Sequence, residues 1–132
     1  MLDLVLARRR GLPILLSVVY IEVARRGGIP LAGVGLPGHF VVGHFDTDPP
    51  LLLDPFAGGR PIDGDLAPGL ARRWRAHEIA MRMLNNLVAA YDRRGDLSCA
   101  MRAAGMRLML PAERSLRDTL QTELRALEAR LN

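Results

Sequence analysis

Gly11-Leu12-Pro13-Ile14-Leu15-Leu16-Ser17-Val18-Val19-Tyr20-Ile21-Glu22-Val23-Ala24-Arg25-Arg26-Gly27-Gly28 is the stretch on which the fold turns. Pro13 suits a first helical position, where its missing N–H is no loss, and Gly27-Gly28 supply the left-handed residue that ends a helix. Between these marks Ile14, Leu15, Leu16, Val18, Val19, Ile21 and Val23 point in nearly every direction. Only Glu22, Arg25 and Arg26 form a polar strip. A helix apolar nearly all round is expected at the centre of a fold, with little of it facing water.

Ahead of it, Leu2, Val5 and Leu6 read as one face of a helix ending in Arg8-Arg9-Arg10, where cations suit the helix dipole. No N-cap precedes that helix, so the element is expected to begin upstream. Behind the central helix, a short strand is expected over Ala32–Leu36, with Pro37-Gly38 as a turn. His39-Phe40-Val41-Val42-Gly43-His44-Phe45 is a good strand, and Leu51-Leu52-Leu53-Asp54 is its return across Asp46-Thr47-Asp48-Pro49-Pro50. Alternation puts His39, Val41, Gly43 and Phe45 on one face and Phe40, Val42 and His44 on the other. If the chain reverses near Asp46-Thr47, His39 falls opposite Asp54 and points to the same face. Such a pair orients an imidazole for acid–base work, although buried His–Asp pairs are also ordinary structural devices.

Residues 56–71 hold many Gly and Pro and read as a surface loop, with a helical turn near Asp65-Leu66-Ala67. From Trp74 onward the chain turns helical: Ala76–Arg93, Leu97–Leu110 and Ala112–Leu131, punctuated by Gly95-Asp96 and Pro111. Ile79, Met83, Leu87 and Tyr91 form one apolar stripe; Leu116, Leu120, Leu124, Leu127 and Leu131 form another. The expected division is a core over 1–71 and a helical tail over 72–132.

Composition narrows the functions. The 132 residues, 49% of them hydrophobic and 24% charged, suffice for one domain or a small core with an appendage. No window reaches the roughly 18 uncharged apolar residues of a membrane span. The basic cluster follows the first apolar run, the reverse of a secretory signal, so cytoplasm is expected. Cys99 is the only cysteine, which rules out an internal disulfide. All 18 basic residues are Arg, and the net charge is only +4. Arg without Lys reads as compositional bias, and nucleic-acid binding through Arg8-Arg9-Arg10 or Arg72-Arg73-Trp74-Arg75 is not expected. No cofactor is expected either. Gly33-Val34-Gly35 runs into a strand and not into a helix, as a phosphate loop would. His39, Asp54 and His44 do not make a metal site, because His44 faces away. Ser17 reads as a small helix residue bonded to a preceding carbonyl, Cys99 as packing, and His77 as a surface or interdomain residue.

Several blocks then occur in a familiar order. They are Arg8-Arg9-Arg10-Gly11-Leu12-Pro13, Leu16-Ser17-Val18-Val19-Tyr20, Gly28-Ile29-Pro30, Gly33-Val34-Gly35-Leu36-Pro37-Gly38-His39-Phe40, Leu53-Asp54-Pro55-Phe56-Ala57-Gly58-Gly59, Arg82-Met83-Leu84-Asn85-Asn86-Leu87 and Arg94-Gly95-Asp96. Together they resemble the bacterial SirB-like proteins, members of the transglutaminase-like superfamily that carry tetratricopeptide-like helices behind the core. The resemblance covers residues 8–110. It implies a papain-like arrangement: a catalytic Cys at the start of the central helix, then His and Asp on adjacent antiparallel strands. His39 and Asp54 take the last two positions, and Pro13 stands where the Cys would be. The family has a helical region ahead of the Arg-Arg-Gly-Leu-Pro block, and here only its end is seen; a shortened start and a reduced form both remain open. The helical tail also lacks a second repeat's signature.

The expected fold is α+β, a reduced transglutaminase-like core of one helix on a small antiparallel sheet, followed by tetratricopeptide-like helices. Two functions follow. The preferred one is a non-catalytic binding or regulatory protein that keeps the His39–Asp54 pair without a nucleophile and holds a peptide or protein by its cleft or its tail. The alternative is a hydrolase or acyltransferase acting on amide bonds, with His39 as general base, Asp54 as its orienter, and Ser17 or a water as nucleophile. Apolar surface at Leu2, Val5 and Leu6 adds the expectation of a homodimer.

Overall fold

A computed structural model describes residues 2–62 and 71–130. The chain is α+β and divides into two compact units, Met1–Arg75 and Ala76–Asn132. In the first unit the order is α1 (Leu2–Arg8), α2 (Pro13–Arg26), β1 (Leu31–Leu36), β2 (His39–His44), β3 (Leu51–Asp54), a 3-10 turn (Pro55–Ala57) and β4 (Arg60–Pro61). The strands form one antiparallel sheet in sequence order.

The ends of α2 follow from its sequence. Leu12 is extended, and its carbonyl accepts from the N–H groups of Leu15 and Leu16. At the other end Gly28 is left-handed (φ 75°), which lets the Ile29 N–H reach back to the Ala24 carbonyl at 2.8 Å. That bond is the six-to-one closure for which glycine is selected after a helix.

The helix lies on the sheet face that carries Phe40 and Val42, both buried. The other face has its own small core of Val34, Val41 and Leu52, with Leu36, Phe45, Ile62 and Ala71 packed around it. The sequence pattern predicts α2 buried on nearly every side, and the structure corrects this. Ile14, Leu15, Ser17 and Ala24 are buried, but Val23 is 64% exposed and Tyr20 also reaches solvent. A four-stranded sheet offers one face to one helix, and among the described residues of this unit the far side of α2 is left partly exposed. The first helix differs likewise: Val5 is buried against Gly11, whereas Leu4 and Leu6 are exposed.

Residues 72–75 run along β1. The Trp74 N–H donates to the Gly33 carbonyl at 2.8 Å, and the indole packs edge-to-face on Phe40 with centroids 5.4 Å apart. Its ring occupies the space where a side chain at Gly35 would begin; a Cβ there would fall 1.9 Å from an indole carbon. This is the close approach that requires Gly35.

The second unit holds α3 (Ala76–Arg93), α4 (Leu97–Arg107) and α5 (Arg114–Ala129). Gly95, left-handed at φ 72°, makes the first turn, and the Asp96 carboxylate caps α4 by accepting from the Cys99 N–H. Ala100, Ala104 and Leu127 form the core, with Val88, Tyr91, Leu97, Met101 and Leu124 around it. Arg107 is buried among these helices. It donates to Asn85 Oδ1 at 3.0 Å, and its Nη2 lies 2.8 Å from the Glu123 carboxylate. The fourth helix stops at Arg107, earlier than Leu110 as expected from Pro111 alone, because residues 108–110 close as turns on Gly105, Met106 and Arg107. The helical turn expected near Asp65-Leu66-Ala67, and Leu131 of the last stripe, lie outside the described residues.

Candidate functional site

The site begins with the register of two strands. Val42 pairs with Leu53 and His44 with Leu51, so one step further Val41 stands opposite Asp54. The hairpin arithmetic had placed His39 there. The true register is shifted by two residues, because the chain turns later than Asp46-Thr47 would make it. A shift of two preserves the face, whereas a shift of one would have reversed it. His39 therefore meets Asp54 diagonally, and the contact is direct: Nε2 to Oδ2 is 2.9 Å.

Asp54 is held on both oxygens and by its backbone. Its Oδ1 accepts from the Phe56 N–H at 2.8 Å, capping the 3-10 turn, and its carbonyl accepts from the Gly59 N–H at 2.7 Å. Burial disfavours the charged carboxylate, but the hydrogen bonds from His39, Phe56 and Ala57 outweigh burial and hold its pKa below the usual carboxylate range. Asp54 is therefore an anion at neutral pH, fixed in place beside a histidine. The pair is neither sealed nor free in solvent, with side chains 31% and 19% exposed. In the neutral tautomer that donates Nε2–H to Asp54, the base is Nδ1. Oriented in this way, His39 can accept a proton or hold a hydrogen-bonding group of a ligand.

Around the pair, the turn after β3 carries Phe56, whose ring meets the imidazole edge-on with centroids 6.3 Å apart. Gly58 and Gly59 are both left-handed, and a Cβ on Gly59 would lie 2.2 Å from the Tyr20 hydroxyl of α2. The loop and the helix are thus fitted to one another. Reading residues 56–71 as a plain surface loop missed Phe56; the signal was the Asp-Pro start at Asp54-Pro55, which pins the turn, and the glycine pair that closes it.

The remaining candidates lie elsewhere. Ser17 is fully buried, and its hydroxyl donates to the Phe40 carbonyl of β2 at 3.2 Å, not to a carbonyl of its own helix. His44 sits on the opposite face of the sheet from His39. There it lines an apolar cavity of about 490 Å³ with Val19, Tyr20, Val23, Leu51 and Leu53, which the sequence pattern, taking α2 as fully covered, did not foresee. Cys99 belongs to the second unit, where its Sγ accepts from Arg102 at 3.0 Å. His77 begins α3. Among the described residues no group of three or more His, Cys, Asp or Glu is placed to hold a metal, and no helix is long and apolar enough to cross a membrane.

A helix on an antiparallel sheet, with His and Asp joined across neighbouring strands, is the frame expected of one superfamily, and the sequence comparison agrees. The model of the transglutaminase-like superfamily matches residues 1–90. The chain belongs to that superfamily. Among relatives, a UPF0162 protein of Xylella fastidiosa is 54% identical over 76 residues, covering 58% of this chain and 26% of that protein. A UPF0162 protein of Pseudomonas aeruginosa is 44% identical over 72 residues, covering 54% and 26%. The human F-box only protein 21 is 28% identical over 108 residues, covering 69% of this chain and 17% of that protein. The chain thus spans about a quarter of the length of the bacterial relatives that it matches. No solved structure matches. Within that superfamily's frame, α2 of this chain opens on Leu12-Pro13, and His39 and Asp54 are joined at 2.9 Å on neighbouring strands.

Proposed function

We propose that this chain is a transglutaminase-like binding or regulatory module in which the His39–Asp54 pair recognises a peptide or protein without cleaving it. One observation carries the reading. The His39–Asp54 bond is formed at 2.9 Å, yet the residue that opens α2 is Pro13, which has neither a side-chain nucleophile nor an N–H. Papain-type chemistry without its thiolate lacks the attacking atom itself. An imidazole anchored by a carboxylate is held in one orientation, and in the tautomer that donates Nε2–H to Asp54 it accepts a hydrogen bond from a ligand N–H or hydroxyl. The relatives support a modular use, since stretches like this one lie inside much longer bacterial and mammalian proteins. The likeness to SirB-like proteins, the tetratricopeptide-like character of α3 to α5, and a cytoplasmic location belong to the same proposal. So does a homodimer, favoured by exposed Leu4 and Leu6 on α1; a monomer mass in sedimentation at every concentration would remove that element.

The second reading is a hydrolase or acyltransferase acting on amide bonds, favoured by the depressed pKa and fixed geometry of Asp54. Its nucleophile would be a water activated by His39, because the Ser17 hydroxyl is buried and committed to the Phe40 carbonyl. Amide and ester panels, run on the wild type and on His39→Ala, separate the two. Turnover that disappears with His39 would overturn the binding reading. Binding to an immobilised peptide array that weakens at least tenfold in His39→Ala, without turnover, is the expected result.

A further inference from the structure

We infer that Phe56 is the specificity-determining residue of the site, packing an apolar side chain of a peptide whose polar group is held at His39. This rests on the binding reading above. Phe56 is 60% exposed, yet its place is fixed. Its N–H is bonded to Asp54 Oδ1, Pro55 before it is buried, and the turn is closed by the Gly59 N–H on the Asp54 carbonyl. Behind the turn, the Tyr20 ring of α2 packs against Gly59. An aromatic ring with two rotatable bonds, displayed on an ordered turn, loses little entropy on binding, which is why such rings anchor interfaces.

Position supplies the partner's chemistry. The ring stands edge-on to the imidazole, and the same Asp54 carboxylate holds both groups, one on each oxygen. A ligand that reaches His39 with a hydrogen-bonding group therefore has the Phe56 face within reach of its neighbouring atoms. An acidic or glycine segment gains nothing from that face. An aliphatic or aromatic side chain gains the burial of both surfaces. The partner is thus a peptide segment with a large apolar residue beside the group bonded to His39, not an acidic or purely polar one.

An array of eight-residue peptides, varied at one position through Gly, Asp, Arg, Leu and Phe, tests this on the full chain. Wild type is expected to enrich Leu and Phe over Gly and Asp by tenfold or more. Phe56→Ala should abolish that preference, and Phe56→Leu should keep the preference for Leu. Circular dichroism confirms that each variant is folded. Peptides bound by the wild type without apolar preference, or a preference that survives in Phe56→Ala, would overturn the inference while leaving the binding reading intact. No peptide bound by the wild type, whatever the varied residue, would overturn both.

Discussion

Asp54 carries three duties within a few ångströms: it pairs with His39, caps the turn at Phe56, and takes the Gly59 N–H on its carbonyl. Two of these need a charged or at least accepting side chain, and they respond differently to substitution. Asp54→Asn keeps an acceptor for the Phe56 N–H and should lose little stability. Asp54→Ala removes the cap and the histidine partner together and should cost about 1–2 kcal/mol in urea unfolding. Acid tests the same residue. Because the folded pKa of Asp54 is depressed, the proton binds the unfolded chain first. Its contribution is complete above the ordinary aspartate value of about 3.9 and is lost as the pH falls through the depressed folded value. The Phe56 amide signal, followed by NMR, should therefore show no change attributable to the Asp54 carboxylate between pH 7 and about 5, and its Asp54-linked shift should come only below about 4. A carboxylate-linked midpoint above about 5 would contradict the depressed pKa. Gly59 is the third point of the same turn. At φ 79° and against the Tyr20 hydroxyl, Gly59→Ala meets both a backbone and a steric penalty, which should amount to about 1–3 kcal/mol and loosen the Phe56 turn.

Elements show what a sequence can and cannot disclose. The ends of α2 were legible because Pro13 and Gly28 act locally, through a missing N–H and a positive φ. The shared face of His39 and Asp54 was legible because parity survives a register error of two. The register itself was not, since it depends on how residues 45–50 close, and no local rule fixes that turn. The partner of Ser17 was equally hidden: a hydroxyl on a helix can bond its own preceding turn or a neighbouring strand, and only packing chooses the Phe40 carbonyl. Trp74 shows the same limit. Nothing in Arg72-Arg73-Trp74-Arg75 announces that its indole fills the notch over Gly35. Gly35→Ala should therefore lift the segment off β1, red-shift the emission of the sole tryptophan, and cost about 1–3 kcal/mol; unchanged emission would mean the indole is not seated there. In the second unit, Arg107 has a buried Nε with no acceptor among the described residues, and its Nη2 is close to Glu123 but out of line for a hydrogen bond. Removing the charge is then easier than stranding it. Arg107→Met should be nearly neutral, whereas Glu123→Ala should destabilise by about 1–3 kcal/mol, an ordering that paired denaturation curves can reverse or uphold.

At the scale of the molecule, the question raised by 18 arginines against 14 acids is whether the surface is built for nucleic acid. Charge is counted by the chain but felt by a phosphate only where guanidinium groups gather without competing anions. Here many are engaged. Arg25 and Arg26 both bind Glu22, pulling that carboxyl down to about 2. Arg73 stacks on Phe45 and lies 3.6 Å from Asp46, while Arg72 covers the Trp74 ring. Arg130 binds Asp92, and Arg107 is buried with Glu123. These pairs are individually weak at the surface, but each places a carboxylate or a ring where a phosphate would have to go. The expected outcome is that labelled duplex DNA and single-stranded RNA show no binding at 150 mM salt, and at 50 mM no more than weak association. Fluorescence anisotropy across that range decides the matter through its slope. A protein neutralising six phosphates would lose roughly 400-fold in affinity over it. A steep linear fall of log affinity with log salt would mean that the arginines form a phosphate-reading surface after all. A flat, near-zero response is what a surface of internally compensated arginines produces.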